Sequence, residues 1–169
     1  MKMEIRRATQ DDAAQLAVLC GEIQSLHVEM QPMLFRQATT EELSGFFCER
    51  ATDPDFMIFL ALVEGQPVGY VMLHVIRRPA HVLINARECV EIDHIHVRQS
   101  HRRRGIGRAL ASQAIEVAHS SGIETIQLSV WAQNHTAVAA FESLGFEPQR
   151  HIMILKDKER LEPSVPSDA

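Results

Sequence analysis

Four arginines and two glycines fall within eight residues, His101-Arg102-Arg103-Arg104-Gly105-Ile106-Gly107-Arg108, in a chain of 169 residues. The run follows an alternating apolar-polar stretch from Cys89 to Val97. It opens a pattern with Ile106, Ala109, Leu110, Ala114, Val117 and Ala118 at three- and four-residue spacing, which predicts a helix that starts within the glycines. The first N–H groups of a helix have no intrahelical acceptor and carry the positive end of its dipole, so they bind anions. Gly105 and Gly107 let phosphate oxygens approach the backbone, and Arg102, Arg103, Arg104 and Arg108 can add charge-assisted hydrogen bonds. The segment reads as an anion cradle, although a helix end carrying a solvated basic run explains it equally well when taken alone.

Neither common nucleotide loop fits. The only lysines are Lys2, Lys156 and Lys158, so a P-loop lysine is missing, and the third glycine of a dinucleotide fingerprint is absent. The preceding strand offers a second kind of chemistry. Strand alternation puts Glu91, Asp93, Ile95 and Val97 on one side, and Val90, Ile92, His94 and His96 on the other. Two carboxylates on one side could take a proton from a nucleophile, or could simply make that side soluble. His94 and His96 have the spacing of strand-borne metal ligands, but no third ligand converges, and no metal is expected.

The surrounding elements follow from patterning. Met3 to Arg7 is a first strand, and Thr9 with Asp11 and Asp12 starts a helix through Leu16, Leu19, Cys20 and Ile23 toward Leu26. Thr39 and Glu42 form a capping box for a second helix that stops before Asp53-Pro54. Strands Phe56 to Val63 and Val68 to Ile76 flank a turn at Glu64 to Pro67. After a loop from Arg77 to Arg87 comes the fourth strand, Glu88 to Arg98, then the cradle and a third helix. A fifth strand from Glu124 to Trp131, a fourth helix capped by Asn134 and ended by Gly145, and a last strand from Phe146 to Leu155 complete the order.

Composition sets the outer limits. A chain of this length that is 46% hydrophobic supports one domain, residues 1–156, followed by a charged, proline-containing tail over 157–169. A net charge of -5 with basicity confined to 101–108 argues against nucleic acid as a partner. No apolar run approaches the roughly 20 residues of a membrane helix, and the first residues lack an apolar signal core, so a cytoplasmic protein without a membrane partner is expected. Cys20, Cys48 and Cys89, odd in number and widely spaced, suit reduced thiols.

The arginine-glycine run after an amphipathic strand resembles the pyrophosphate motif of the GNAT superfamily of acyl-CoA-dependent N-acyltransferases. A second segment, Asn134-His135-Thr136-Ala137-Val138-Ala139-Ala140-Phe141-Glu142-Ser143-Leu144-Gly145-Phe146, is similar to that family's asparagine-headed helix ending in a Gly-Phe turn. The resemblance implies an α/β fold, mixed and of α+β type, with a central sheet of six to seven strands, four helices, and fourth and fifth strands splayed apart. It implies acetyl-CoA as co-substrate, its pantetheine arm along Ile95, His96 and Val97, its diphosphate in the cradle from Arg102 to Arg108, and its amide arm and thiol end near Asn134 and Phe141. It implies Glu91 as general base, with Asp93 extending a proton path or holding a cationic substrate, and the Ile95 N–H, freed by a bulge, as oxyanion donor.

Two departures narrow the expectation. Phe141 stands where many members carry a tyrosine acid, and Ser129 stands where ribosomal-protein N-terminal acetyltransferases carry a glutamate. The expected activity is acetyl transfer to a primary amine of a small molecule or peptide, by direct attack in a ternary complex. The alternative is an acyl-CoA-binding module with weak or no catalysis. A homodimer is slightly favoured over a monomer.

Overall fold

The computed structural model describes residues 2–155, so the expected tail over 157–169 lies outside the described residues. The chain groups into two compact units, Met1–Val130 and Trp131–Ala169. The first holds a five-stranded sheet in sequential order, with β1 (Met3–Arg7), β2 (Phe56–Val63), β3 (Gln66–Arg78) and β4 (Arg87–Val97) antiparallel and β5 (Ile126–Leu128) parallel to β4. Its helices are α1 (Ala13–Met30), α2 (Thr40–Thr52) and α3 (Ile106–Ser121). The second unit contributes α4 (His135–Glu142).

β2 reads Phe-Met-Ile-Phe-Leu-Ala-Leu-Val, with its alternate residues covered from both sides, as a central strand requires. On one face of the sheet Phe56, Ile58, Leu60, Leu62, Tyr70 and Met72 pack beneath Leu16, Leu19 and Cys20 of α1 and Phe47 of α2. Leu16 and Leu19 are fully buried, and burial of such side chains stabilises the fold by about 1.5–3 kcal/mol each. α3 lies against β2, β3 and β4, burying Ile106, Leu110, Ala114 and Val117. Ends are set locally. Asp12, at the head of α1, accepts from both Arg6 guanidinium nitrogens at 2.8 and 2.7 Å, and the Thr39–Glu42 capping box forms at α2. Glu64 and Gly65, with φ of 53° and 79°, make the two-residue β2–β3 turn.

Two expectations are corrected. Residues 146–155 form no strand, which leaves five strands among the described residues rather than six to seven. Pro148 brings no N–H donor, and Ile152, Met153, Ile154 and Leu155 stay exposed, so their alternation finds no surface to pack on. The fifth strand is also shorter than expected, pairing only over Ile126–Leu128. Among the described residues no helix is long and apolar enough to cross a membrane.

Candidate active site

A single extra residue in β4 decides which side chains share a face. Pairing with β3 runs Gly69 to Val97, Tyr70 to His96, Val71 to Ile95 and Met72 to His94, then resumes with Leu73 to Ile92 and His74 to Glu91. Asp93 is skipped, so it forms a β-bulge, and the alternation inverts across it. The grouping expected from simple alternation is therefore corrected. Glu91 shares its face with His94 and His96, across from His74, Met72 and Tyr70, on the side covered by α1 and α2. Ile95 lies with Ile92 and Val71 on the opposite face, and Asp93 is exposed at the bulge.

The same inversion redirects the backbone. The Val90 N–H donates to the Thr125 carbonyl at 2.9 Å, toward β5, whereas the Arg98 N–H donates to Val68 at 2.8 Å, toward β3. Counting back from Arg98 by twos, His96 and His94 also face β3, which leaves the N–H groups of Ile95 and Val97 directed away from it. Pairing with β5 ends at Ile92 opposite Leu128. Beyond that point β4 has no strand neighbour on its outer side among the described residues, so the fourth and fifth strands part where those N–H groups begin.

This edge leads into the arginine-glycine run. Arg102 Nε donates to the Val97 carbonyl at 2.9 Å and fixes the end of the edge. Arg103 and Gly105 have φ of 61° and 81°, the left-handed region, and Gly105 is the N-cap of α3, its carbonyl accepting from Ala109 at 3.0 Å. Arg102, Arg103, Arg104 and Arg108 are exposed, Ile106 is buried beneath the turn, and a Cβ added at Gly105 would meet nothing within 4 Å. At Gly107 an added Cβ would meet only Val97 Cγ2, at 3.9 Å. Space, backbone N–H groups at a helix head and exposed guanidiniums fit a diphosphate.

Polar contacts organise the α1/α2 side. Gln127 of β5 donates to Glu91 Oε1 at 3.2 Å, which orients that carboxylate. His96 Nε2 and Arg98 Nε both meet Glu22 of α1 at 3.0 Å. Burial lowers the His96 pKa, with Glu22 working in the opposite direction. His94 Nδ1 lies 3.1 Å from the Tyr70 hydroxyl, and its ring stacks on Phe46 of α2 with centroids 6.0 Å apart. Burial pushes the His94 pKa down and the Tyr70 pKa well up. Sequence reasoning missed this Tyr70–His94 pair and the Glu22 anchor. Only the bulge puts His94 opposite Met72 and beside Tyr70, and no local pattern signals Glu22. Among the described residues no group of three or more His, Cys, Asp or Glu could hold a metal.

In the second unit Asn134 caps α4, its Oδ1 accepting from the Ala137 N–H at 3.2 Å. Phe141 packs edge-on against Phe146 with centroids 5.9 Å apart, and Gly145, at φ 93°, turns the chain after the helix. Asn134 and Phe141 are thus engaged within their own unit.

Comparison with known proteins places this geometry. An uncharacterized N-acetyltransferase of Methanocaldococcus jannaschii is 38% identical over 89 residues, 53% of this chain and 38% of that protein. N-acetyltransferase family 8 member 3 of Rattus norvegicus is 29% identical over the same length, 37% of its own, so the chain spans under two fifths of these relatives. The ribosomal protein bS18 alanine N-acetyltransferase of Escherichia coli is 42% identical over 52 residues, 31% of this chain and 35% of that enzyme. A solved structure of a tetramutant of the BH1408 protein of Bacillus halodurans shares the fold at a TM-score of 0.85 and 24% identity, covering 90% of this chain and 98% of that one. The model of the Acetyltransferase (GNAT) family matches residues 21–146, more than half the length, and the chain belongs to that family of acyltransferases.

Proposed function

We propose that this chain transfers the acetyl group of acetyl-CoA to the primary amine of a small molecule or peptide, by direct attack within a ternary complex. The observation that carries the reading is the outer edge of β4, which among the described residues is unpaired beyond Ile92 and runs into the glycine-capped head of α3. When bound, acetyl-CoA supplies an activated thioester. Ile95 and Val97, whose N–H groups face away from β3, hold its pantetheine arm along the strand, the expected contact from His96 falling away because its backbone faces β3 and its ring meets Glu22; Gly105, Ile106 and Gly107 with Arg103, Arg104 and Arg108 hold the diphosphate. Arg102 secures Val97 and adds its charge to the same anion.

An alkyl amine has a pKa near ~10.4, so at neutral pH it must lose a proton before attack. Glu91, oriented by Gln127, takes that proton directly or through water, and Asp93 at the bulge attracts the cationic amine. The Ile95 N–H, directed off the sheet edge, donates to the developing oxyanion, a role worth roughly 2.7–4 kcal/mol in acyl transfer. Phe141 has no proton to give, and the thiol pKa of ~8.5 lets thiolate leave unaided. The free thiols of Cys20, Cys48 and Cys89 suit a reducing, cytoplasmic setting.

Glu91→Gln tests the assignment. Cofactor affinity should stay at the wild-type value while turnover at neutral pH falls by about 100-fold or more; turnover that stays unchanged removes Glu91 as base. Phe141 and Ser129 favour the second reading, an acyl-CoA-binding module. That reading prevails if wild-type protein binds acetyl-CoA yet acetylates no member of a broad amine panel.

A further inference from the structure

We propose that His94 selects the acceptor: its Nε2–H donates a hydrogen bond to an uncharged carbonyl oxygen on the incoming amine, so amines that carry an amide are preferred over plain alkyl amines. The inference deepens the acetyl-transfer reading and rests on it. The tautomer follows from the hydrogen-bond chain. Tyr70 is fully buried, and the Cys20 thiol beside it is its second polar neighbour. A thiol sulfur is a much poorer acceptor than an imidazole nitrogen, so the Tyr70 hydroxyl donates to His94 Nδ1, 3.1 Å away, rather than to Cys20, and the ring proton resides on Nε2. Burial of the ring, which outweighs the pull of Asp93 and is reinforced by His27, keeps the imidazole neutral near pH 7.

Nε2 is also available. Among the described residues the only fully buried side-chain polar atom without a partner is Arg50 Nε, and His94 makes no hydrogen bond besides that to Tyr70, so Nε2 is not sealed into the core. Phe46 stacks on one side of the ring and Tyr70 fixes its edge, which leaves a rigid donor. The bulge at Asp93 puts this donor on the same face of β4 as Glu91. A neutral N–H of fixed direction suits a carbonyl oxygen; it offers nothing to an alkyl chain, and an amine that leaves it unpaired is disfavoured.

The test compares wild-type, His94→Leu and His94→Gln proteins on β-alaninamide and n-butylamine, acceptors of matched length with and without a carbonyl. Removing one neutral hydrogen bond should lower kcat/KM of His94→Leu for β-alaninamide by about tenfold and leave n-butylamine within twofold; His94→Gln, which restores an N–H near the Nε2 position, should recover most of the loss. Equal losses on both amines, or none, overturn the assignment. Imidazole 15N spectra decide independently of turnover: the wild-type ring should be Nε2-protonated, Tyr70→Phe should release that bias, and β-alaninamide but not n-butylamine should move the Nε2 signal in the presence of CoA. An Nδ1-protonated ring, or an Nε2 signal that neither amine moves, overturns it. If neither amine is acetylated while the spectra behave as stated, acetyl transfer fails and the His94 contact stands.

Discussion

Replacing Gly69 with alanine puts a methyl group where the backbone of β4 already is. The new Cβ would lie 2.5 Å from the His96 carbonyl oxygen, 3.2 Å from Val97 Cα and 3.3 Å from Val97 Cγ2. Two of those atoms are main chain and cannot rotate away, so β3 and β4 must separate by close to ~1 Å to reach ordinary contact. Overpacking of this kind costs about 1–3 kcal/mol, and a stiffer unfolded chain returns about 0.4–1 kcal/mol, for a net loss of about 1–2 kcal/mol. In a chain of this size that corresponds to a melting temperature lower by about 2–8 °C. Gly45 provides the control, because it is exposed within α2 with nothing within 4 Å of an added Cβ; Gly45→Ala should gain up to about 1 kcal/mol from helix preference alone. Thermal unfolding with and without acetyl-CoA measures both effects. The displaced segment is His96-Val97, so Gly69→Ala should also lose part of the stabilisation that acetyl-CoA confers. A Gly69→Ala protein that melts at or above the wild-type temperature refutes the reasoning, since it would mean the β3–β4 contact yields without cost.

Other consequences concern charge and backbone. Asp12 is held by Arg6 and by the Thr9 N–H, and its pKa is lowered from 3.8 to about 2, first through the Arg6 hydrogen bonds. The lowered value means stability that is complete above pH 3.8 and is lost as pH falls through about 2; the gap is worth roughly 2 kcal/mol, reduced to about 1 by water around Arg6. Urea unfolding of wild type and Asp12→Asn should therefore converge on acidification across that window, and a constant difference between them contradicts the ion-pair account. At Gly105, alanine must adopt φ of 81°, which costs about 1–2 kcal/mol. Gly105→Ala should weaken CoA binding by titration calorimetry while leaving an anion-free cradle folded, and unaltered affinity removes this turn from the cofactor site.

The parts legible in the sequence were those with short-range causes. The Thr39–Glu42 box, the apolar β2 run and the helix opening at Ile106 each depend on residues within a few positions, and each lies where expected; the β2–β3 turn is present but shorter than the expected Glu64 to Pro67, because Gln66 and Pro67 already pair with Val63 and Leu62. The site's arrangement was not legible for the same reason. Alternation assigned Glu91 and Asp93 to one side of β4, but one unpaired residue at Asp93 moved His94 and His96 onto the face of Glu91. Nothing in the run Glu-Ile-Asp-His-Ile-His distinguishes a regular strand from a bulged one, because the bulge answers to the strand beside it. The Glu22–His96–Arg98 contact spans more than seventy positions and leaves no local trace. The final strand failed in the opposite sense, with a pattern present and no surface to receive it.

The outer edge of β4, unpaired among the described residues, also bears on how copies of the protein would meet. Exposed N–H and C=O groups in the middle of a sheet are a template on which a strand from another molecule can grow. Here the template is short, beginning after Ile92 and ending at Val97, where Arg102 already occupies the last carbonyl and a cluster of like-charged guanidiniums follows. A competing strand would have to register across an out-of-phase residue at Asp93 and then meet that positive charge, which a diphosphate satisfies and a neutral peptide does not. The geometry that admits the proposed co-substrate thus doubles as a guard against self-association, and ligand-free protein should clump first under conditions that screen charge.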